Sequence, residues 1–203
     1  MPRKKIIRTH LFPYHVTIRT NNKEWFKIPL PEVWKITQIA LDKCCQKVPV
    51  DVHAFVLMNN HYHMILSTPS SDLDLFMRHF NRMISDMISR RTGVINRKFG
   101  GPYRWTIIDN RKYAFNVFRY VYRNPVRAGL CKRVEDYPFS SLNDDRDFSY
   151  TTFLDEQRES LINFFNKNAR EERVEDIRNA LRKTYFKPAL DKNTLRPKKI
   201  LEY

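Results

Sequence analysis

Cysteine is scarce in this chain: Cys44, Cys45 and Cys131 are the three in 203 residues, and none stands in a C-x-x-C pair. That usage excludes a zinc ribbon and a disulfide framework, and fits a reducing, cytoplasmic compartment. No apolar run approaches the ~18 residues of a membrane-crossing helix, so no membrane partner is expected. The opening MPRKKIIRTH is basic but is followed by no apolar h-region, so it does not read as a signal peptide. Internal repeats and low-complexity tracts are absent. Acidic residues are under-represented too: 22 Asp and Glu stand against 37 Lys and Arg, a net charge of +15 and a pI near 9.9. Such an excess favours a polyanionic partner, most often nucleic acid. It is concentrated early. Residues 1–150 hold 25 basic and 13 acidic residues (+12), and residues 151–203 hold 12 and 9 (+3).

What is present is enough to build a core, with 42% hydrophobic and 13% aromatic residues. After a basic arm over 1–12, Tyr14 to Arg19 alternates with β-branched residues and predicts a first strand, ended by the turn Thr20-Asn21-Asn22. Pro31 suits a first helical turn, and Val33, Trp34, Ile36, Ile39, Ala40, Cys44 and Cys45 form a helical stripe over 31–47. Val50–Met58 and residues 61–67 predict two strands paired as a hairpin across Asn59-Asn60. Ser70 or Ser71 is the expected cap of a second helix carrying Leu73, Phe76, Met77, Phe80, Ile84 and Ile88 and ended by Gly93. Gly100-Gly101-Pro102 is the expected turn before a short fourth strand, Tyr103–Ile108. A third helix is expected from Asn110 to Arg123, stopping where Asn124-Pro125 must leave helical geometry. Pro125–Leu142 reads as an irregular connection.

The order β-α-β-β-α-β defines an α+β fold: a ferredoxin-like split βαβ sandwich with a four-stranded antiparallel sheet. RNA-recognition modules share this topology, so the order alone does not assign function. Two domains are expected: a catalytic domain over 1–145, and a helical extension over 146–203. The extension has two helices within 151–184 and a basic, extended or disordered tail from about 185.

The chemistry sits in Asn60-His61-Tyr62-His63. In a strand, residues i and i+2 share a face, so His61 and His63 stand about 6–7 Å apart at Cα. Two such imidazoles can share a divalent cation, although a pair of histidines in a strand is more commonly ordinary packing. The third helix adds Asn116, Tyr120 and Asn124 at one-turn intervals on its polar face. A cation held by two histidines and an amide oxygen polarises a phosphate, and a nearby phenol can attack the phosphorus. Such a step cuts a strand and conserves the bond as a phosphotyrosine.

Asn60-His61-Tyr62-His63 resembles the His-hydrophobic-His motif of the HUH endonucleases. The run Tyr120–Leu130 (YVYRNPVRAGL), followed by Glu135–Ser141 (EDYPFSS), is similar to the signature of REP-associated tyrosine transposases, relatives of the single-tyrosine transposases of bacterial insertion sequences. Tyr14-His15-Val16-Thr17 and Phe99-Gly100-Gly101 fit the same family, and the resemblance covers about residues 1–145. It implies a metal-dependent enzyme that nicks and joins DNA. Tyr120 would be the nucleophile, leaving a 5′-phosphotyrosine and a free 3′-OH, and His61, His63 and Asn124 would be the metal ligands. Tyr122 is the rival nucleophile, but it lies about 200° around the helix from Tyr120, off the face of Asn124. The family commonly has Pro-Asn before the first histidine, where this chain has Asn59-Asn60. An amide ligand without a carboxylate implies a weakly held Mg²⁺ or Mn²⁺.

The implied partner is single-stranded or hairpin DNA of repeat elements, bound by a monomer or homodimer. Candidate DNA contacts are Arg78 and Arg82 on the second helix, and Arg104, Arg123 and Arg127 toward the scissile region, with Trp105 for base stacking. The competing reading is a catalytically inactive nucleic-acid-binding module on the same fold. A dead copy is expected to have lost His61, His63 or Tyr120, and all three are present.

Overall fold

The computed structural model describes residues 5–94, 98–99, 101–144, 148, 153–168, 171–191 and 194–197. Strands β1 (Tyr14–Arg19), β2 (Asp51–Leu57), β3 (His61–Ser67) and β4 (Arg104–Ile107) form one sheet in the order β2-β3-β1-β4. Every pair is antiparallel. Helix α1 (Leu30–Lys47) links β1 to β2, and α2 (Leu73–Thr92) links β3 to β4. This is the split βαβ arrangement expected from the sequence.

Strand alternation gives the sheet two different faces. One carries Tyr14, Val16, Phe55, Tyr62, Met64, Trp105 and Ile107, all buried. Helices α1 and α2 cover it: Trp34 packs 5.8 Å from Phe55, Phe80 lies 5.6 Å from Tyr62, and the Tyr62 hydroxyl donates to Asn81 Oδ1. The other face carries His15, Thr17, His61, His63 and Thr106. The register sets Thr17 opposite His63 and Arg19 opposite His61. Helix α3 (Arg111–Tyr122) lies over this second face.

Several local expectations are corrected. Ser71 takes a left-handed conformation (φ 59), and the N-cap of α2 is Asp72, with no side-chain cap bond. Asp74 in its first turn is held by Arg8 of the N-terminal arm at 2.9 Å. The chain does not leave helical geometry at Asn124-Pro125. After a break at Arg123 (φ −83, ψ −2) it makes one more turn, α4 (Asn124–Arg127). Proline is tolerated there because a first-turn residue needs no N–H bond. Gly100 of the expected Gly100-Gly101-Pro102 turn lies outside the described residues.

The boundary expected at 145/146 lies outside the described residues as well. The extension beyond it packs on α3 as two helices, α5 (Arg158–Asn166) and α6 (Glu171–Ala180). Phe164 meets Phe115 at 6.0 Å, and Phe165 meets Tyr122 at 5.0 Å. The tail, expected to be extended or disordered from 185, begins with an isolated parallel bridge of Tyr185 to Ile107 at the sheet's edge. Ile107 N donates to Thr184 O (2.9 Å), Phe186 N donates to Ile107 O (2.8 Å), and Phe186 is fully buried. The free edge of β4 is thereby covered. The free edge of β2 is covered by the connection after α4, where Leu57 N donates to Phe139 O (3.0 Å) and the Tyr137 hydroxyl to Leu57 O (2.7 Å). Covered edges remove unpaired backbone groups that would otherwise template aggregation.

Candidate active site

Three histidines and one tyrosine meet on the second face of the sheet, within a single chain. The His61 and His63 rings are 5.1 Å apart, edge to face. His63 stacks on His15 at 5.2 Å, and its Nδ1 is 3.0 Å from His15 Nε2. Tyr120, from α3, stands edge-on to both, 5.8 Å from His63 and 6.4 Å from His15. The strand supplies the spacing of the two expected ligands, and the helix crossing over it supplies the phenol.

Burial keeps these imidazoles neutral, the form that binds metal. It lowers His61 from 6.5 to about 4, with a smaller push from Arg19, and lowers His15 to about 3. His63 is held well below its usual range, first by burial and then by His15 and His61. Hydrogen bonds fix one tautomer. Asn60 Nδ2 donates to Lys23 O (2.7 Å), so its Oδ1 faces His61 Nδ1 at 2.8 Å as an acceptor. His61 Nδ1 therefore carries the proton and Nε2 keeps its lone pair, the usual arrangement behind a metal-binding histidine. His15 occupies the equivalent position behind His63 Nδ1. The departure from Pro-Asn thus leaves the asparagine that orients the first ligand in place.

Asn124, the expected third ligand, is held by hydrogen bonds beside Tyr120 and Arg127. Asn124 Nδ2 donates to Tyr120 O (2.9 Å), and its Oδ1 accepts from Arg127 Nη2 at 2.7 Å. Among the described residues, no three His, Cys, Asp or Glu side chains are grouped as a metal cluster. Two neutral imidazole nitrogens with oriented back sides fit a divalent ion. The remaining positions would fall to water or phosphate oxygens, which suits Mg²⁺ or Mn²⁺.

The other candidates separate clearly. The Arg127 guanidinium lies 4.4 Å over the Tyr120 ring, at the site. Arg104 is exposed at the start of β4, on the histidine side of the sheet. Arg78 and Arg82 are exposed on α2, across the sheet from Tyr120, and Arg82 faces Asp86 at 3.6 Å. Trp105 is corrected from a stacking platform to a core residue: its ring is 7% exposed and packs edge-on against Tyr14 at 6.2 Å. Arg123 is corrected to a structural anchor, donating to Asn166 O (2.6 Å) and Asn168 Oδ1 (2.5 Å) of the extension. Tyr122 is buried on the far side of α3, its hydroxyl 3.0 Å from Ser141 Oγ. Two site residues were not singled out in the sequence. His15 shares the face of His63, but only the order β3-β1 brings them together. Arg178, on α6, is exposed and paired with Glu175 at 3.1 Å, within electrostatic reach of Tyr120, in a segment with no recognisable motif.

Comparison with known proteins gives the family of a chain that sets a tyrosine over paired histidines on a split βαβ sheet. The model described as "Transposase IS200 like" matches residues 8–124, more than half of the chain, which belongs to this family. A REP-associated tyrosine transposase of Escherichia coli (strain K12) is 30% identical over 114 residues, covering 55% of this chain and 66% of that protein. A relative from Haemophilus influenzae (strain ATCC 51907 / DSM 11121 / KW20 / Rd) is 26% identical over 121 residues, covering 52% of this chain and 66% of its own length. The chain spans just under two thirds of the length of these curated relatives. The solved structure of a REP-associated tyrosine transposase bound to a REP hairpin matches the fold with a TM-score of 0.61 and 22% identity, over 70% of this chain and 82% of that one. The family match includes His61, His63 and Tyr120, and stops before Arg127 and the extension. Among the described residues, no helix is long and apolar enough to cross a membrane.

Proposed function

We propose that the chain is a transposase that nicks and joins single-stranded DNA beside a hairpin, with Tyr120 as the nucleophile. The supporting observation is the placement of the Tyr120 ring 5.8 Å from His63 within one chain. The relatives' association with REP elements, and a solved relative's REP hairpin, favour a hairpin repeat as the substrate. In the first step the Tyr120 oxygen forms a bond to phosphorus and the bond from phosphorus to the 3′ oxygen breaks. The phenol proton passes to solvent, and the leaving 3′ oxygen takes one up. The product is a 5′-phosphotyrosine with a free 3′-OH, and attack by a 3′-OH reverses the chemistry without ATP.

His61 and His63 would hold the divalent ion, oriented from behind by Asn60 and His15. When bound, Mg²⁺ or Mn²⁺ supplies charge stabilisation at the phosphate. Asn124 would be the third ligand through its amide oxygen, which also accepts from Arg127 Nη2 and has a second lone pair. Residues 1–145 carry the catalytic groups named so far, and residues 146–203 form the extension.

The test is incubation of the full chain with a labelled single-stranded hairpin oligonucleotide, taken from repeats flanking its own gene, and Mn²⁺. A protein–DNA adduct that survives denaturation is expected with the wild type and not with Tyr120→Phe. Binding without any adduct would favour the inactive binding module, and an adduct with Tyr120→Phe would rule out this nucleophile.

A further inference from the structure

Of the three tryptophans in the chain, two serve the core: Trp34 packs on Phe55 at 5.8 Å, and Trp105 is 7% exposed. Trp25 is 70% exposed. A lone apolar side chain at the surface needs no explanation, but the backbone beneath this one does. It follows a single 3-10 turn, Asn21–Lys23, in which Asn22 (φ 53) and Lys23 (φ 60) both take the left-handed region without being glycine. Two such residues in succession cost free energy that the surroundings must offset, a pattern concentrated at functional sites. The surroundings here are the turn of the hairpin that carries the histidines. Thr20 N donates to Asn60 O (2.8 Å), Phe26 N to Asn59 O (3.2 Å), and Asn60 Nδ2 to Lys23 O (2.7 Å). Asn21 N also donates to Lys98 O (3.0 Å), and Lys98 Nζ to Trp25 O (3.1 Å). Phe26 is 2% exposed and packs edge-on against Phe99 at 6.2 Å. The main chain on both sides of Trp25 is thus pinned, while the residue itself faces solvent.

The same loop adjoins the candidate active site. Asn60, whose side-chain amide it holds through Lys23 O, turns its Oδ1 to His61 at 2.8 Å, and Arg19, just before the loop, lies opposite His61 in the sheet. The segment is basic. Arg19, Lys23 and Lys27 are exposed, and Glu24, 3.8 Å from Lys27, is the single acid between Arg19 and Lys27. An exposed indole on a pinned loop, set among cations, matches how single strands are bound: a base stacks on the ring while the cations hold the phosphates beside it. A paired, stacked duplex offers no free base face to such a ring. Lysine-rich surroundings also argue against an ordinary protein partner, because the centres of protein interfaces are depleted of lysine.

We propose that Trp25 is a stacking platform for an unpaired base of the strand that crosses the histidine site, with Lys23, Lys27 and Lys98 holding neighbouring phosphates. The ligand class is single-stranded DNA, gripped by a base face and by the backbone, and therefore with little preference for which base. The stacking role that Trp105 cannot take, being in the core, falls to Trp25. The strand then passes over the end of the sheet where β3 begins, beside His61. Because the loop under Trp25 also holds the Asn60 amide, a strand on the platform steadies the group that orients His61 from behind. This inference rests on the chain acting on single-stranded DNA and adds to that reading where the strand lies. It concerns binding alone and involves no chemical step.

The experiment measures DNA affinity by fluorescence anisotropy for the full chain carrying Tyr120→Phe, with and without Trp25→Ala or Trp25→Phe. The probe is the labelled hairpin oligonucleotide with single-stranded flanks, together with copies that carry one abasic position at a time in the flanks and a copy without flanks. Losing one base–aromatic stack typically weakens binding about 5- to 100-fold, and a loss in that range is expected for Trp25→Ala, with Trp25→Phe recovering most of it. One abasic position should weaken the protein that keeps Trp25 by a similar factor and the Trp25→Ala protein by less than two-fold, because the stack is already gone. The probe without flanks should bind both proteins alike. Trp25→Ala affinity within two-fold of its parent overturns the platform. So do abasic losses that are equal in the two proteins at every position, or a Trp25→Ala loss as large without flanks as with them, since these mark a structural or purely electrostatic role. No binding of the flanked probe by the parent overturns the platform and the DNA reading together. Binding without adduct formation by the wild type removes only the nucleophile and leaves the platform standing.

Discussion

The two faces of the four-stranded sheet are both covered by helices, yet they differ in burial and in chemistry. The face under α1 and α2 is aromatic and aliphatic, and its few polar atoms, such as the Tyr62 hydroxyl, have a partner. The face under α3 holds three histidines, Thr17 and Thr106. Its polar groups are satisfied by one another and by neighbouring backbone: His15 with His63, Thr17 with Tyr62 O, and Thr106 with carbonyls of the extension. One face therefore holds the fold together, while the other keeps neutral, largely desolvated imidazoles oriented at a cost in free energy. Substitutions on the two faces should divide accordingly between stability and chemistry.

The largest separation is expected from Tyr120→Phe. It should remove adduct formation altogether, a loss exceeding about 10³-fold as for other nucleophile deletions, while shifting the unfolding midpoint little. Tyr62→Ala, one residue from each site histidine but on the apolar face, should do the reverse. Truncating a fully buried aromatic costs about 3–5 kcal/mol, readable by denaturant titration, with residual activity in the fraction that stays folded.

Acid should expose the polar face next. His53 is buried beside Ser67 Oγ at 2.7 Å and against Phe153 at 4.4 Å, and burial lowers its pKa from 6.5 to about 4. Because the folded pKa lies below the unfolded one, the unfolded chain binds the proton first as the pH falls. The stabilisation is complete above about pH 6.5 and is lost as the pH drops toward 4. Each such histidine should contribute a loss on the order of 2 kcal/mol by about pH 4.5. His53→Gln, which lies outside the metal pair, should flatten part of that slope in urea titrations at several pH values. An unchanged slope would assign the acid sensitivity to other groups. The smallest effect is expected from Tyr122→Phe. It loses one buried hydrogen-bonding interaction with Ser141, about 1 kcal/mol, and should still form the adduct, separating the two tyrosines of α3.

Much of this division is legible in the sequence because it follows from local periodicity. Alternation in VLMNNHYHMIL sets His61 and His63 against Tyr62 and Met64, and the helical period separates Tyr120 from Tyr122. Strand β1 and the hairpin fall where the turn residues place them. The features that escaped depend on non-local packing. His15 meets His63 only because β1 lies beside β3, which no period encodes. Trp105 alternates onto the core face, a consequence of β4's register against β1. The fates of Asn124, Arg123 and Arg178 depend on how α4 and the extension fold back over α3. A motif-free sequence does not announce that, since its anchoring residues, Leu154, Leu161, Phe164, Phe165, Ile177 and Phe186 among them, are spread along it.

The edge of β4 has a consequence for how the chain is made. Ile107 waits for Thr184 and Phe186, roughly eighty residues later, which at typical elongation rates of 5–20 residues per second is about 4–15 s of synthesis. For that interval the nascent sheet carries a raw strand edge outside the ribosome. Crowded translation, or a premature stop within the extension, would leave it open to pairing with a neighbouring chain.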